Sequence, residues 1–213
     1  MSEKTSLTSL SSGFAGMLKL GIVLALYATA ACVGLAFVYA GTEKVIAQRQ
    51  QDDLNAALSE LFPNADFFNP IENIRSTDPA VTIEADGVFA AMRKPNEIIG
   101  AALRTSRASY NGAIKVLVGV GVDGRISGVK ILEHSDTPGL GANAASATYY
   151  IDRSKGIHFY DQFAGKSVND PFEVKQDVVA ITAATITSRA VAAEVKAAGE
   201  AASAWFASQG GVR

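Results

Sequence analysis

Thr182, Thr185, Thr187, Ser188 and Arg189 crowd into the short apolar frame "AITAATITSRAV", residues 180–191, directly before a helical stretch. Hydroxyls at a helix entrance have two uses. One is capping, in which a Ser or Thr oxygen accepts a hydrogen bond from a first-turn N–H that lacks a helical partner. Thr185 and Thr187 are both placed for it. The other is anion binding. The same free N–H groups, with roughly half a positive charge from the helix dipole, form a phosphate site. Ala183 and Ala184 leave room for close approach, and Arg189 adds a full charge nearby. On local sequence, capping is the commoner outcome.

A second stretch, "EHSDTPGLG", residues 133–141, has chemistry of a different kind. Pro138 fixes φ and removes a donor, while Gly139 and Gly141 allow backbone angles that other residues avoid. A flat ring can lie against such a backbone. Two glycines and a proline are also ordinary loop punctuation. Glu133 and Asp136 read as carboxylates facing solvent.

Other chemistries are poorly provided for. His134, His158 and the single Cys32 form no metal-ligand spacing, so no metal is expected. The 19 Lys and Arg are scattered against 21 Asp and Glu, which argues against a nucleic-acid partner. No catalytic acid–base dyad stands out.

These loops need elements to hold them. Residues 20–40 carry no charge, and about 20 helical residues cross a bilayer core of ~30 Å. A transmembrane helix is expected over 17–41, after a cytoplasmic tail, 1–16. A cleaved signal peptide would have a shorter apolar core. Lys4 and Lys19 precede the helix and Lys44 and Arg49 follow it, so charge sets its orientation only slightly. A helix continuing to Pro63 and a loop-like connector make up 42–79. From residue 80 a single domain runs to 213. It begins with a turn at Asp86–Gly87 between two strand-like runs. A hairpin about Asp123–Gly124 follows, with Ile126, Val129 and Ile131 inward. "VKQDVVAI" reads as a buried strand, and the last helix spans about 187–207, with Val191, Val195, Ala198, Ala202 and Trp205 on one face. The class is α+β, with a central antiparallel sheet and flanking helices.

Taken together, "YNGAIKVLVGVGVDGRISGVKILEHSDTPGLG" and the later "DVVAITAATITS" resemble the FMN-binding domain of the G subunit of the Rnf electron transport complex. The C subunit of the sodium-pumping NADH:quinone oxidoreductase is its relative. The likeness covers most of residues 17–207. It implies an electron-carrying flavoprotein subunit of an ion-translocating ferredoxin:NAD oxidoreductase in the inner membrane. The N-terminus would be cytoplasmic and the FMN domain extracytoplasmic, with no independent catalysis. The family's attachment signal is Ser or Thr, then Gly-Ala-Thr, one residue, then Thr or Ser, with an aspartate upstream. Thr182-Ala183-Ala184-Thr185-Ile186-Thr187 stands in that place, with Asp177 before it and Ala183 where glycine is usual. The resemblance implies FMN joined by a phosphoester to Thr185, making the chain a phosphoprotein in that sense. Thr182, Ala184, Thr187 and Ser188 would surround the phosphate. Thr137, Gly139, Leu140, Gly141 and Glu133 would border the ring, as would Tyr110 and Gly112. Partners implied are the other Rnf membrane subunits, a flavin transferase and membrane lipid. The alternatives are the corresponding quinone-reductase component, or a membrane-anchored sensory or assembly domain that passes no electrons.

Overall fold

The computed structural model describes residues 4–209, with side chains from residue 16 onward. A long helix α1, Lys4–Leu61, is followed by five strands: β1, Phe67–Pro70; β2, Val81–Met92; β3, Ile98–Ser109; β4, Gly112–Gly121; and β5, Ile126–Glu133. They pair antiparallel in chain order. Short 3₁₀ turns at Gly141–Ala144 and Asp161–Phe163 flank a small hairpin of β6, Tyr150–Asp152, and β7, Ile157–His158. Helix α2, Thr185–Ser208, closes the chain.

Two units are distinguished, Met1–Asp52 and Asp53–Arg213. The first is helical, and after Gly16 it contains a stretch apolar and long enough to cross a membrane. Its large apolar side chains, such as Leu24, Leu35 and Phe37, lie open.

In the second unit the strands alternate, and both faces are covered. Leu103, Val116, Val118 and Val120 join Val191, Val195, Ala198 and Ala202 of α2 in one core. Ala91, Ala102 and Leu117 point the other way, onto Leu54, Leu58, Leu61 and Phe62 at the end of α1 and just beyond. The period of two in β3 and β4 therefore serves two helices. Glycines make the second contact close. A Cβ at Gly100 would lie 2.3 Å from the Phe62 ring, and one at Gly119 would lie 3.2 Å from it.

Three local readings are corrected. Asp86–Gly87 is no hairpin turn. β2 runs through it, and Ile83↔Thr105 and Val88↔Leu103 are the pairs either side of a bulge. Glu84 and Asp86 in the bulge close on Arg104. Gly87 is needed because a Cβ there would lie 2.5 Å from that of Arg104. In the β4–β5 turn Gly124 takes φ +71. Asp123 stays out of that region, and its Oδ1 accepts from Arg125 N at 3.2 Å. "VKQDVVAI" forms no strand. Phe172 and Lys175 are left-handed, at φ 51 and 76. The Asp177 carboxylate there accepts from Glu173 N at 2.7 Å and Phe172 N at 3.3 Å, replacing ladder bonds. β1 arises where a loop was expected, as an edge strand on which Pro70 is tolerated. Ile126 and Val129 do share the inner face, because a register shift after Gly119 absorbs the odd spacing.

Candidate functional site

The end of β3, the loop after β5 and the first turn of α2 converge on one carboxylate. Asp136 is 6 % exposed. Its Oδ2 accepts from Ser109 Oγ and Thr187 Oγ1, each at 2.7 Å, and its Oδ1 accepts from Asn111 N at 3.0 Å. Burial works against the charge. The hydrogen bonds from Thr187, Ser109 and Asn111, with help from His134, outweigh it and hold the carboxyl below its usual range. Asp136 does not face solvent as its sequence context suggests. It ties together three segments that lie far apart in the chain.

That tie brings the two chemical loops together. A cavity of about 420 Å³ lies between them, lined by Tyr110, Asp136, Thr137, Leu140, Gly141 and residues 183–187. Gly141 is required by close approach: a Cβ there would fall 2.5 Å from Thr187 Oγ1 and 2.6 Å from Asp136 Oδ2. The loop turns tightly, with Leu140 N and Ala142 N both donating to Thr137 O. Tyr110, Leu140 and Ile186 form an apolar rim, 70, 41 and 53 % exposed.

At the entrance of α2 no hydroxyl serves as a cap. Its N-cap is Ala184, and no side chain caps it. Neither Thr185 nor Thr187 does so. Thr187 Oγ1 is spent on Asp136, and Thr185 is half-buried in the cavity wall. The first-turn N–H groups therefore keep no side-chain oxygen, the condition a phosphate exploits. Ala183 turns the chain into the helix at φ 59, the left-handed region, which costs an alanine about 1 kcal/mol.

Seven of the residues singled out in the sequence meet at the cavity: Tyr110, Thr137, Leu140, Gly141, Ala184, Thr185 and Thr187. Others stand outside its wall. Ser188 is buried, accepting from Ile181 N at 3.0 Å and donating to Ala184 O at 2.9 Å. It shapes the entry loop. Thr182 is exposed, and its N–H donates to the Tyr149 hydroxyl at 3.2 Å. Gly139, at φ 78, offers its carbonyl to Asn143 Nδ2 at 2.9 Å. Glu133 is exposed and paired with Lys115 at 2.9 Å. Gly112 is likewise not among the lining residues. Ala183, expected to leave room for close approach, also lines the cavity, while Asp136 and Ile186 are lining residues that the sequence reading gave no part in the site, and Ser109 supports Asp136.

The room, the apolar rim and the uncapped helix entrance suit a molecule with a flat apolar ring and a phosphate, as FMN is. Residues 109–200 match the family model of the FMN-binding domain, and residues 14–61 match that of the RnfG N-terminal region. The chain is 31 % identical over 201 residues to the G subunit of the ion-translocating oxidoreductase complex of Aliivibrio fischeri, covering 89 % of this chain and 90 % of that one. It is 29 % identical to the G subunit of the Na(+)-translocating ferredoxin:NAD(+) oxidoreductase complex of Acetobacterium woodii, over 83 % of this chain and 87 % of that one. It is 33 % identical to the proton-translocating counterpart of Clostridium ljungdahlii, over 78 % and 80 %.

Proposed function

The chain belongs to the RnfG family, the G subunits of ion-translocating oxidoreductase complexes, and on that premise we propose that it is the membrane-anchored electron carrier of a ferredoxin:NAD oxidoreductase, with FMN covalently attached at Thr185. The observation that carries the reading is the bare entrance of α2. The helix begins at Thr185 with no side-chain cap, and the Thr185 residue lies in the wall of a cavity faced by the 137–141 loop.

When bound, FMN supplies the electron-transfer chemistry, so the protein needs no acid–base residues of its own. Thr185 Oγ1 carries the phosphoryl group, and the free N–H groups of the first turn stabilise its charge. Asp136 holds Thr187, and with it that first turn, against the end of β3. Leu140 and Ile186 give the ring an apolar seat and exclude water from it. Tyr110 stands at the rim, largely exposed.

A flavin transferase makes the attachment. The domain is extracytoplasmic, and α1 anchors it with the N-terminus in the cytoplasm. A covalent bond keeps the cofactor where free FMN is scarce. The left-handed backbone at Ala183 supports this reading, because the entry loop takes the angle for which glycine is usual even with alanine in place.

The test is intact mass with peptide mapping of residues 178–189 on protein made in a host with a flavin transferase. The expected gain is one FMN less one water, with fluorescence that survives denaturation in SDS. Thr185→Val removes both. A label that persists in that variant rejects the site, and native protein without a label rejects covalent attachment.

A further inference from the structure

Glu194 sits in the middle of α2, turned toward the sheet and 0 % exposed. Its Oε2 is 2.7 Å from the hydroxyl of Thr105 on β3, and its Oε1 has no partner. The same hydroxyl lies 3.2 Å from the carbonyl oxygen of Val116 on β4. A hydroxyl has one hydrogen to give. Were Glu194 ionised, its charge would be buried among apolar groups, with one oxygen unpartnered and the other sharing a hydroxyl that also lies against a backbone carbonyl. With a proton on Oε2 the chain closes. Glu194 donates to Thr105, and Thr105 donates to Val116 O.

The neighbouring charges do not reverse this. Arg107 of β3 attracts the carboxylate but is paired with Asp78 at 2.8 Å. Glu84 of β2 repels it, and Asp86 is engaged by Arg104. Lys115 of β4 is taken by Glu133 and Glu84, and the Gly141–Ala144 turn has no titratable side chain. On α2 itself Arg189 and Lys196 are exposed, while Glu200 receives the Thr77 hydroxyl. Burial is the dominant influence and pushes Glu194 up to about 8, against the pull of Thr105 and Arg107.

We propose that Glu194 is a proton-binding site of the folded domain, a neutral acid whose proton fastens α2 to β3 and β4. Thr187 lies seven residues earlier on the same helix, about 10 Å along its axis. The seating of the turn that lines the cavity then depends on this proton. The proton itself does not depend on the cofactor reading, so the two can fail separately.

An unfolded glutamate titrates near 4.5 and the folded one at about 8. Between these values the folded state holds a proton that the unfolded state has lost. Stability therefore falls as pH rises through that window, by up to about tenfold in the unfolding constant per pH unit, and levels off above it. Full-length protein in detergent is denatured at a series of pH values and compared with Glu194→Gln, whose amide replaces the acid's donor with nothing to titrate. The wild type should show this slope. The variant should lose it. Infrared spectra at pH 7 supply a second readout that needs no unfolding, namely a protonated-carboxyl carbonyl band that shifts on ¹³C-glutamate labelling and vanishes in the variant. The band should disappear in wild-type protein as pH rises past about 8, which decides the matter even if the variant does not fold. Absence of the band at pH 7, or equal slopes in the two proteins, overturns the assignment. An unlabelled Thr185 would leave both measurements unchanged.

Discussion

At Ala183 the backbone asks for glycine and the sequence supplies alanine. A residue with a Cβ at φ 59 is held there by its surroundings. Ala183→Gly should raise unfolding stability by about 1 kcal/mol, read from chemical denaturation, and leave the proposed attachment at Thr185 unaffected. Asp136 makes the opposite case, a charged residue that the fold cannot spare. Its carboxyl is held below the usual 3.8. Its contribution is present above that value and is lost as pH falls through the depressed folded value. Asp136→Asn should cost about 1–3 kcal/mol at neutral pH, because an amide offers one oxygen to groups that now share two. It should also flatten the acid limb of the stability curve, measured by denaturation from pH 2 to 7. The role of Asp136 was not visible locally. Asp136 stands among Ser, His and Thr like any loop carboxylate, and it is buried only because Ser109 and Thr187 reach it from 27 and 51 residues away.

At the scale of elements, the sheet works by having two different faces. Its α2 side is a broad aliphatic core, while its other side is a glycine-floored groove for Phe62. Phe62→Ala should cost about 3–5 kcal/mol, measured by urea unfolding, as burial and packing of the ring are both lost. The β4–β5 hairpin and α2 were legible because their apolar residues run long enough to leave a pattern. Periodicity failed where side chains replaced ladder bonds. The apolar run "VKQDVVAI" looks like a strand, yet Asp177 takes up its neighbours' N–H groups and Lys166 at 3.1 Å. It failed in the bulge of β2 for a related reason, since Glu84 and Asp86 are set by Arg104 on the neighbouring strand.

Across the whole molecule, the cores of the second unit are built from residues 54 onward, and the cavity adds little to them. Protein expressed without a flavin transferase should therefore be colourless yet folded. Its circular dichroism should match that of loaded protein, and its melting temperature should lie within a few degrees. The apolar surface of the first unit has no covering among the described residues. Deleting residues 1–41 should move the protein from the membrane to the soluble fraction on ultracentrifugation. Retention in the membrane would place the anchor elsewhere.

Sequence alone determined the family, the apolar N-terminal helix, the central hairpin and the two loops that meet at the cavity. Each rests on contiguous residues, where spacing is the physical signal. Only the tertiary structure decided what occupies the entrance of α2. Whether a threonine caps a helix depends on where its oxygen is drawn, and here Asp136 draws Thr187 away while Thr185 turns to the cavity. The same applies to Glu194, an acid in an amphipathic helix by its sequence. It is buried because α2 packs that face on the sheet, where Thr105 supplies its one hydrogen-bond partner.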